Sequence, residues 1–333
     1  RSVAGYLGVD AGEVVFTAGA TAAINLVAHA LGATLVAGDE VVISAAEHHS
    51  NIVPWQMLRD RRGVRLRVLP VTDDGRLDGA ALEHVVTGRC RLVAVTHVSN
   101  VTGAITDVPP IVDAARAVGA RVLLDGAQRT PHGPLDLPAL GVDLYAFSGH
   151  KMFAPTGVGV LWGRREVLAA LPPALGGGGM IRSVSLERSS HAPPPDRFEA
   201  GTPPIAQAIG LGAVCDWLRG LDWPAIAAHE RGLTHRLLEG LAGLAGVRLI
   251  GPGDTEARIG VVSFDVAGAH PHDVCQVLDR DGVALRGGHH CAEPLMQRFG
   301  VTGSSRASIA LYNDEADIDA LLAGLQRAIR VLR

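Results

Sequence analysis

Short apolar, β-branched runs recur through the first two thirds of the chain, at Val14 to Thr17, Val41 to Ser44, Leu92 to Thr96 and Val122 to Asp125. Runs of that length and residue type read as buried strands. Amphipathic stretches lie between them, for example Thr21 to Leu31, Ile52 to Arg61 and Val108 to Val118. Thr106-Asp107 ahead of Val108-Pro109 is a helix-start signal, because proline is favoured in a first turn. The alternation predicts an α/β fold with a mostly parallel, doubly wound sheet. Residues 172–204 are rich in Pro, Gly and Ser and read as an extended surface loop, with a long helix predicted from about Ile205. After Trp223 the pattern changes to helix, strands at Val247 to Ile250 and Ile259 to Phe264, then helix, strand and helix. This divides the chain into a large domain over 1–220 and a smaller α+β domain over 221–333.

Composition narrows the class. The chain has 333 residues, 47% hydrophobic and 19% charged, so it can bury a sizeable core. Its net charge of −4, with no basic stripe, argues against a nucleic-acid partner. No apolar run approaches the ~20 residues that span a bilayer, and no signal peptide opens the chain, so a cytoplasmic location is expected. Cys90, Cys215, Cys275 and Cys291 are dispersed and form no CxxC pair, which fits a reduced compartment. The chain opens Arg1-Ser2-Val3 without a Met, close to a helix-to-strand transition, and a further N-terminal piece is expected to precede it.

The cations carry more information. Of the thirty Lys and Arg residues, Lys151 is the only lysine. Arginine does not lose its proton in a protein, whereas a lysine amine with a lowered pKa can attack a carbonyl. Lys151 closes Ser148-Gly149-His150-Lys151, directly after the apolar run Leu144 to Phe147. That is no place for a solvated helix face, and it points to an amine that binds pyridoxal phosphate covalently.

Further candidates gather around it. Asp125 ends a predicted strand, where open α/β sheets bind ligands. A carboxylate there suits the pyridine nitrogen of such a cofactor, which acts as an electron sink when protonated. Gln128 is placed to reach the ring's phenolic oxygen, and Ser148 and His150 to reach a phosphate. Gly19-Ala20-Thr21 opens a helix after a strand, so the backbone N–H groups around Ala20 and the Thr21 hydroxyl make an anion site. In Glu47-His48-His49, one imidazole can stack on a ring and move protons. A metal reading of the pair stays open, with no spaced third ligand in the sequence. Gly287-Gly288-His289-His290-Cys291 presents a loop thiol with Arg286 upstream, and nearby cations favour a nucleophilic thiolate. A His-His-Cys metal site is the alternative there. Arg306, beside an apolar strand, can clamp a carboxylate.

Taken together these residues resemble the cysteine desulfurase/selenocysteine lyase family, a branch of the class V aminotransferases. The matching stretches are Glu47 to Trp55, Val95 to Val101, Leu124 to Gln128, Phe147 to Lys151, Ala154 to Val158, Arg197 to Pro203, Arg286 to Cys291 and Arg306 to Ser308. The Gly-His-His-Cys loop and its short step to Arg306 are similar to the SUF-type (group II) subgroup. The resemblance implies the fold type I architecture, with a seven-stranded sheet, and a homodimer with a shared active site. It implies that Lys151 holds pyridoxal 5'-phosphate and moves the Cα proton, that Asp125 and Gln128 contact the ring and that His48 stacks on it. Thr21, Ser148 and His150 would hold the phosphate, joined by Thr202 from the second subunit. Asn100 and Arg306 would bind the substrate carboxylate, with Arg286 near the nucleophile. Cys291 would take sulfur from L-cysteine or selenium from selenocysteine, leave alanine, and pass sulfur to an acceptor protein in iron–sulfur cluster assembly. The chain departs from the family at Ala20 and Ala22, where Thr and Glu are usual, at Leu175 in place of Glu and at Pro204 in place of Asn. The family's N-terminal Asn-Xaa-His-Arg-Gly motif has no counterpart here. These departures bear on the substrate wall, and the alternative reading is a related class V lyase, epimerase or aminotransferase acting on another amino acid.

Overall fold

The computed structural model describes residues 1–332. Seven strands form the central sheet: β1 (Val14–Thr17), β2 (Glu40–Ser44), β3 (Arg65–Leu69), β4 (Cys90–Thr96), β5 (Arg121–Asp125), β6 (Leu144–Ser148) and β7 (Gly159–Gly163). Their order is β1-β7-β6-β5-β4-β2-β3. Pairings from β3 through to β6 are parallel, and β7 runs antiparallel to both β1 and β6. Helices α1 (Ser2–Leu7), α2 (Ala20–Gly32), α3 (Val53–Arg62), α4 (Leu82–Val85), α5 (Val108–Ala117), α6 (Leu137–Leu140) and α7 (Arg165–Ala170) connect and cover these strands.

The inner strands read as unbroken apolar runs because both faces are covered. Alternate residues feed different cores. Val122 and Leu124 of β5 join one cluster with Val93, Val95, Tyr145 and Phe147. Leu123 joins the other with Leu92, Ala94, Leu144 and Ala146. The parallel arrangement also aligns strand ends. Thr17, Ser44, Thr96, Asp125 and Ser148 each close a strand of the same orientation, so polar side chains collect along one edge.

Helix α8 (Ile205–Arg219) packs against α1, and α9 (Trp223–Ala242) follows, its start capped by Asp222, which accepts from Ala225 N–H. A second, wholly antiparallel sheet has the order β10-β11-β13-β12, formed by β10 (Val247–Ile250), β11 (Val261–Val266), β12 (Arg286–Gly288) and β13 (Ser304–Ser308). Helices α9, α10 (Pro271–Asp279) and α12 (Glu315–Leu332) share its core, which includes Leu237, Phe264, Leu278 and Leu325. Helix α11 (Glu293–Arg298) contributes Leu295 and Met296 to a small cluster with Ala46, Val71, Val101 and Ile250, directly beneath the Cys291 loop.

Three expectations change. Residues 172–204 are not one continuous loop: Ile181–Val184 (β8) and Ser189–His191 (β9) pair as an exposed hairpin. The C-terminal part holds an additional short strand and helix, because Arg286-Gly287-Gly288 and Ser304 to Ser308 carry no apolar alternation and gain their strand character from pairing with each other and with β11. Arg306 thus lies within a strand, not beside one. Helix α5 starts at Val108 as expected, but the Asp107 side chain makes no capping bond. Thr106 turns its hydroxyl to Thr96 O at 2.6 Å instead.

Candidate active site

At the polar edge of the central sheet, Ala20, Thr21, His48, Asn100, Asp125, Gln128, Ser148, His150, Lys151 and Arg286 line one cavity of about 200 Å3. Asp125 and Lys151 arrive there from neighbouring strands, β5 and the turn after β6. The turn after Asp125 depends on Gly126, since any Cβ at that position would enter the Tyr145 ring. The start of α2 is pinned to the same edge: Ala20 N–H donates to Ser148 Oγ at 2.8 Å. That N–H is therefore committed. The Thr21 hydroxyl, the proton of Ser148 Oγ and the following N–H groups of the helix start remain for an anion.

Charge is held unusually at this cavity. Asp125 is buried and accepts from Ala127 N–H at 3.0 Å. Desolvation raises its pKa, with the Lys151 charge acting in the opposite sense. Burial lowers the Lys151 pKa, and Arg306 and Arg286 add to the effect against the pull of Asp125. Among the described residues the Lys151 amine has no hydrogen bond or ion pair. A buried acid and a half-buried amine that line one cavity with no hydrogen bond or ion pair between them leave room for a polar ring. Pyridoxal phosphate fits this donor set: an amine biased toward its neutral form, a carboxylate for a protonated ring nitrogen, and a helix start for a phosphate.

His48 accepts from Ser50 N–H at 3.1 Å and lies 2.8 Å from Ser50 Oγ through Nδ1. Desolvation, then Lys151, lowers its pKa to about 4, so it is a neutral imidazole at pH 7. Its loop is fixed by groups the sequence reading did not single out. Glu47, fully buried, accepts from Ser44 Oγ, from Asn51 Nδ2 at 2.7 Å and from Thr96 N–H at 2.9 Å. Asn51 in turn accepts from Trp55 Nε1 at 2.9 Å. Burial pushes the Glu47 carboxyl up to about 8, despite these donors. The i, i+4 spacing of Glu47, Asn51 and Trp55 is the signal that could have revealed them. A second missed pair, His97 and Tyr145, meets at 3.0 Å through Nδ1 and the phenol.

The thiol side is built differently. Arg286 Nη2 donates toward Cys291 Sγ at 3.6 Å. His290 and Cys291 both adopt left-handed backbone, with φ of 54° and 58°. Such conformations in non-glycine residues are strained and concentrate at functional sites. The loop is held by Asn100 Nδ2, donating to His290 O at 2.7 Å, and by His49 N–H, donating to Cys291 O at 2.7 Å. Arg306 donates through Nη1 to Asn100 O at 2.9 Å, while its buried Nε has no partner. A guanidinium with a spare buried donor is what a carboxylate would satisfy. Cys90 and Cys215 are buried and Cys275 half-buried, and all four thiols are free.

Thr202 is the one sequence candidate that the structure places elsewhere. It is exposed and lines a separate groove of about 540 Å3, together with Phe16, Leu26, Leu175 and Pro204. Three of the departures from the family pattern, Ala22, Leu175 and Pro204, thus share the Thr202 groove.

Comparison with known proteins identifies the family. The family model for class-V aminotransferases matches residues 1–321. A cysteine desulfurase of Dickeya dadantii is 52% identical over 325 residues, covering 97% of this chain and 78% of the relative. A probable cysteine desulfurase of Streptomyces coelicolor is 49% identical over 322 residues, covering 94% and 76%. Among solved structures, the cysteine desulfurase CsdA of Escherichia coli superposes with a TM-score of 0.95 at 39% identity, over 100% of this chain and 83% of that one. The cystine C–S lyase C-DES, solved with cysteine persulfide, gives 0.83 at 29% identity over 97% and 84%.

Proposed function

The chain belongs to the class-V aminotransferase family, and we propose that it is a pyridoxal-phosphate-dependent cysteine desulfurase of SUF type. The observation that carries this reading is that Arg286, which lines the cavity shared by Lys151 and Asp125, donates toward the loop thiol of Cys291. When bound, pyridoxal phosphate supplies an electron sink for the substrate's Cα. Lys151 would hold the cofactor through its amine and would move the Cα proton. Asp125 would keep the ring nitrogen protonated, Gln128 would donate to the ring oxygen, and neutral His48 would pack on the ring. Thr21, Ser148 and His150 hold the phosphate. Arg306 clamps the substrate carboxylate, and Asn100 fixes both Arg306 and the Cys291 loop. Cys291 Sγ, as thiolate, attacks the sulfur of L-cysteine. A new S–S bond forms, the substrate C–S bond breaks with its electron pair left on the carbon side, and protonation of that carbon yields alanine. The sulfur stays on Cys291 as a persulfide.

The same reading divides the chain at about residue 220 and makes the working unit a cytoplasmic homodimer. Thr202, away from its own cavity, then reaches the partner's. An acceptor protein receives the persulfide sulfur, as cluster assembly requires. In support, no helix among the described residues is long and apolar enough to cross a membrane. The test is to incubate the full chain, loaded with pyridoxal phosphate, with L-cysteine and assay alanine and sulfide together. Alanine formation that Cys291→Ala abolishes supports the reading. Turnover of other amino acids with full activity in Cys291→Ala would move the chain to the related lyases or aminotransferases.

A further inference from the structure

The sequence holds no spaced third metal ligand for the His48-His49 pair, but the fold brings one of its imidazoles to the His-His-Cys loop. His49 follows β2, while His289 and Cys291 follow β12, some 240 residues later, and their ligand atoms all lie within 4.8 Å of one another. The two imidazole rings stack with centroids 5.5 Å apart and planes 29° apart. The backbones are tied together as well: His49 N–H donates to Cys291 O at 2.7 Å, and Cys291 N–H donates to His289 Nδ1 at 3.0 Å. A carboxylate stands beside the group, with Glu293 Oε2 3.8 Å from His49 Nε2. All four residues are at least partly open to solvent.

From this juxtaposition we propose that His49, His289 and Cys291 form a reversible zinc site that captures the nucleophilic thiol, with Glu293 as the fourth ligand. Two imidazoles, a thiolate and a carboxylate are a borderline-soft set that selects Zn2+ over Mg2+ or Ca2+. Tetrahedral bonds of ~2.1 Å to nitrogen and ~2.3 Å to sulfur put ligand atoms roughly 3.4–3.6 Å apart. The cluster reaches that spacing by about an ångström of side-chain movement, which exposed His289 and half-buried Cys291 can make. Binding exchanges the thiol proton for the metal: Cys291-SH and Zn2+ give a Zn–thiolate and a released H+. Arg286, which donates to the same sulfur and is itself exposed, turns aside. A thiolate whose charge is shared with zinc is a weaker nucleophile than the free thiolate and is held at the metal, so zinc acts as a reversible brake on the step assigned to Cys291. That consequence rests on the proposed desulfurase reading, whereas the binding itself rests on geometry alone.

Cobalt(II), which reports tetrahedral thiolate coordination through visible d–d bands, is the probe. It is titrated into the pyridoxal-phosphate-loaded full chain with no cysteine present. About one equivalent with tetrahedral bands is expected, displaced by Zn2+, and His289→Ala and Cys291→Ser each lower the affinity by at least about tenfold. Cys275→Ser, a thiol on α10 outside the cluster, leaves the affinity unchanged. Independently of turnover, Zn2+ slows alkylation of Cys291 by iodoacetamide about tenfold or more in the parent, and does not in His289→Ala. Unchanged affinity in both cluster variants, loss in Cys275→Ser instead, or alkylation indifferent to Zn2+ would each overturn the site. If the metal-free chain makes no alanine from cysteine, the desulfurase reading fails while the cobalt and alkylation results still decide the metal site.

Discussion

The cofactor side and the thiol side of the site follow opposite designs. Asp125 closes strand β5 and Lys151 lies in the short turn after the neighbouring parallel strand β6, and both strands are packed in the core over nearly all their length, so the sheet sets their positions. Cys291 stands on a half-exposed turn with left-handed backbone, tied down by hydrogen bonds from Asn100 and His49. Cofactor chemistry needs groups that do not move and a dry environment that shifts their pKa values. A thiol that receives sulfur inside a cavity and gives it up outside needs access, and a strained turn gives it that freedom at some cost in local stability.

The largest effects should separate the two sides. Lys151→Ala should lower alanine formation by about a thousandfold or more and remove the visible absorbance of the covalently held cofactor. Cys291→Ala should lower alanine formation to a similar degree while that absorbance survives. Loss of absorbance in Cys291→Ala would mean that the sides are not separable. Next in size is the buried network under His48. Asn51→Ala leaves Glu47, Trp55 Nε1 and Ala94 O without their shared partner. Unsatisfied buried groups of this kind cost about 2–4 kcal/mol in total, measurable by urea unfolding. A loss under about 0.5 kcal/mol, the level of an ordinary surface change, would show that the network does not hold the loop.

A pH effect completes the comparison, and both sides contribute. Burial lowers His97, on the cofactor side, to about 3, and His290, on the thiol side, to about 3, from an ordinary 6.5. Their neutral forms are favoured on folding, so the unfolded chain binds more protons as pH falls below 6.5. Stability is therefore present above pH 6.5 and declines on acidification toward about 3, by up to ~1.4 kcal/mol per pH unit for each site. His97→Gln should remove one such contribution from the slope of unfolding free energy between pH 6.5 and 4. An unchanged slope would show that His97 is charged in the folded protein.

The same contrast governs what the sequence disclosed. The strands that carry Asp125 and Lys151 were legible because a doubly covered sheet demands continuous apolar runs, and because a solitary lysine among arginines has few uses. Cys291 was legible through its glycines and Arg286. Of strands β12 and β13 only one was expected, and without bounds, since Arg-Gly-Gly and Ser-Ser-Arg-Ala-Ser carry no periodic signal and owe their conformation to pairing. The meeting of His49 with His289 and Cys291 was not legible, since it depends on how β2 and the second sheet come together over long sequence separation. Glu47 lay in plain view beside His48, but its role required knowing that Ser44, Asn51 and Thr96 converge on it.

The most direct test of the account is peptide mass spectrometry of the full chain, loaded with pyridoxal phosphate, after brief exposure to L-cysteine and before any reductant. The account predicts a gain of one sulfur atom on the peptide carrying Cys291, none on those carrying Cys90, Cys215 or Cys275, and no gain in Lys151→Ala. Alanine released while Cys291 remains unmodified, or sulfur appearing on Cys275 instead, would contradict it.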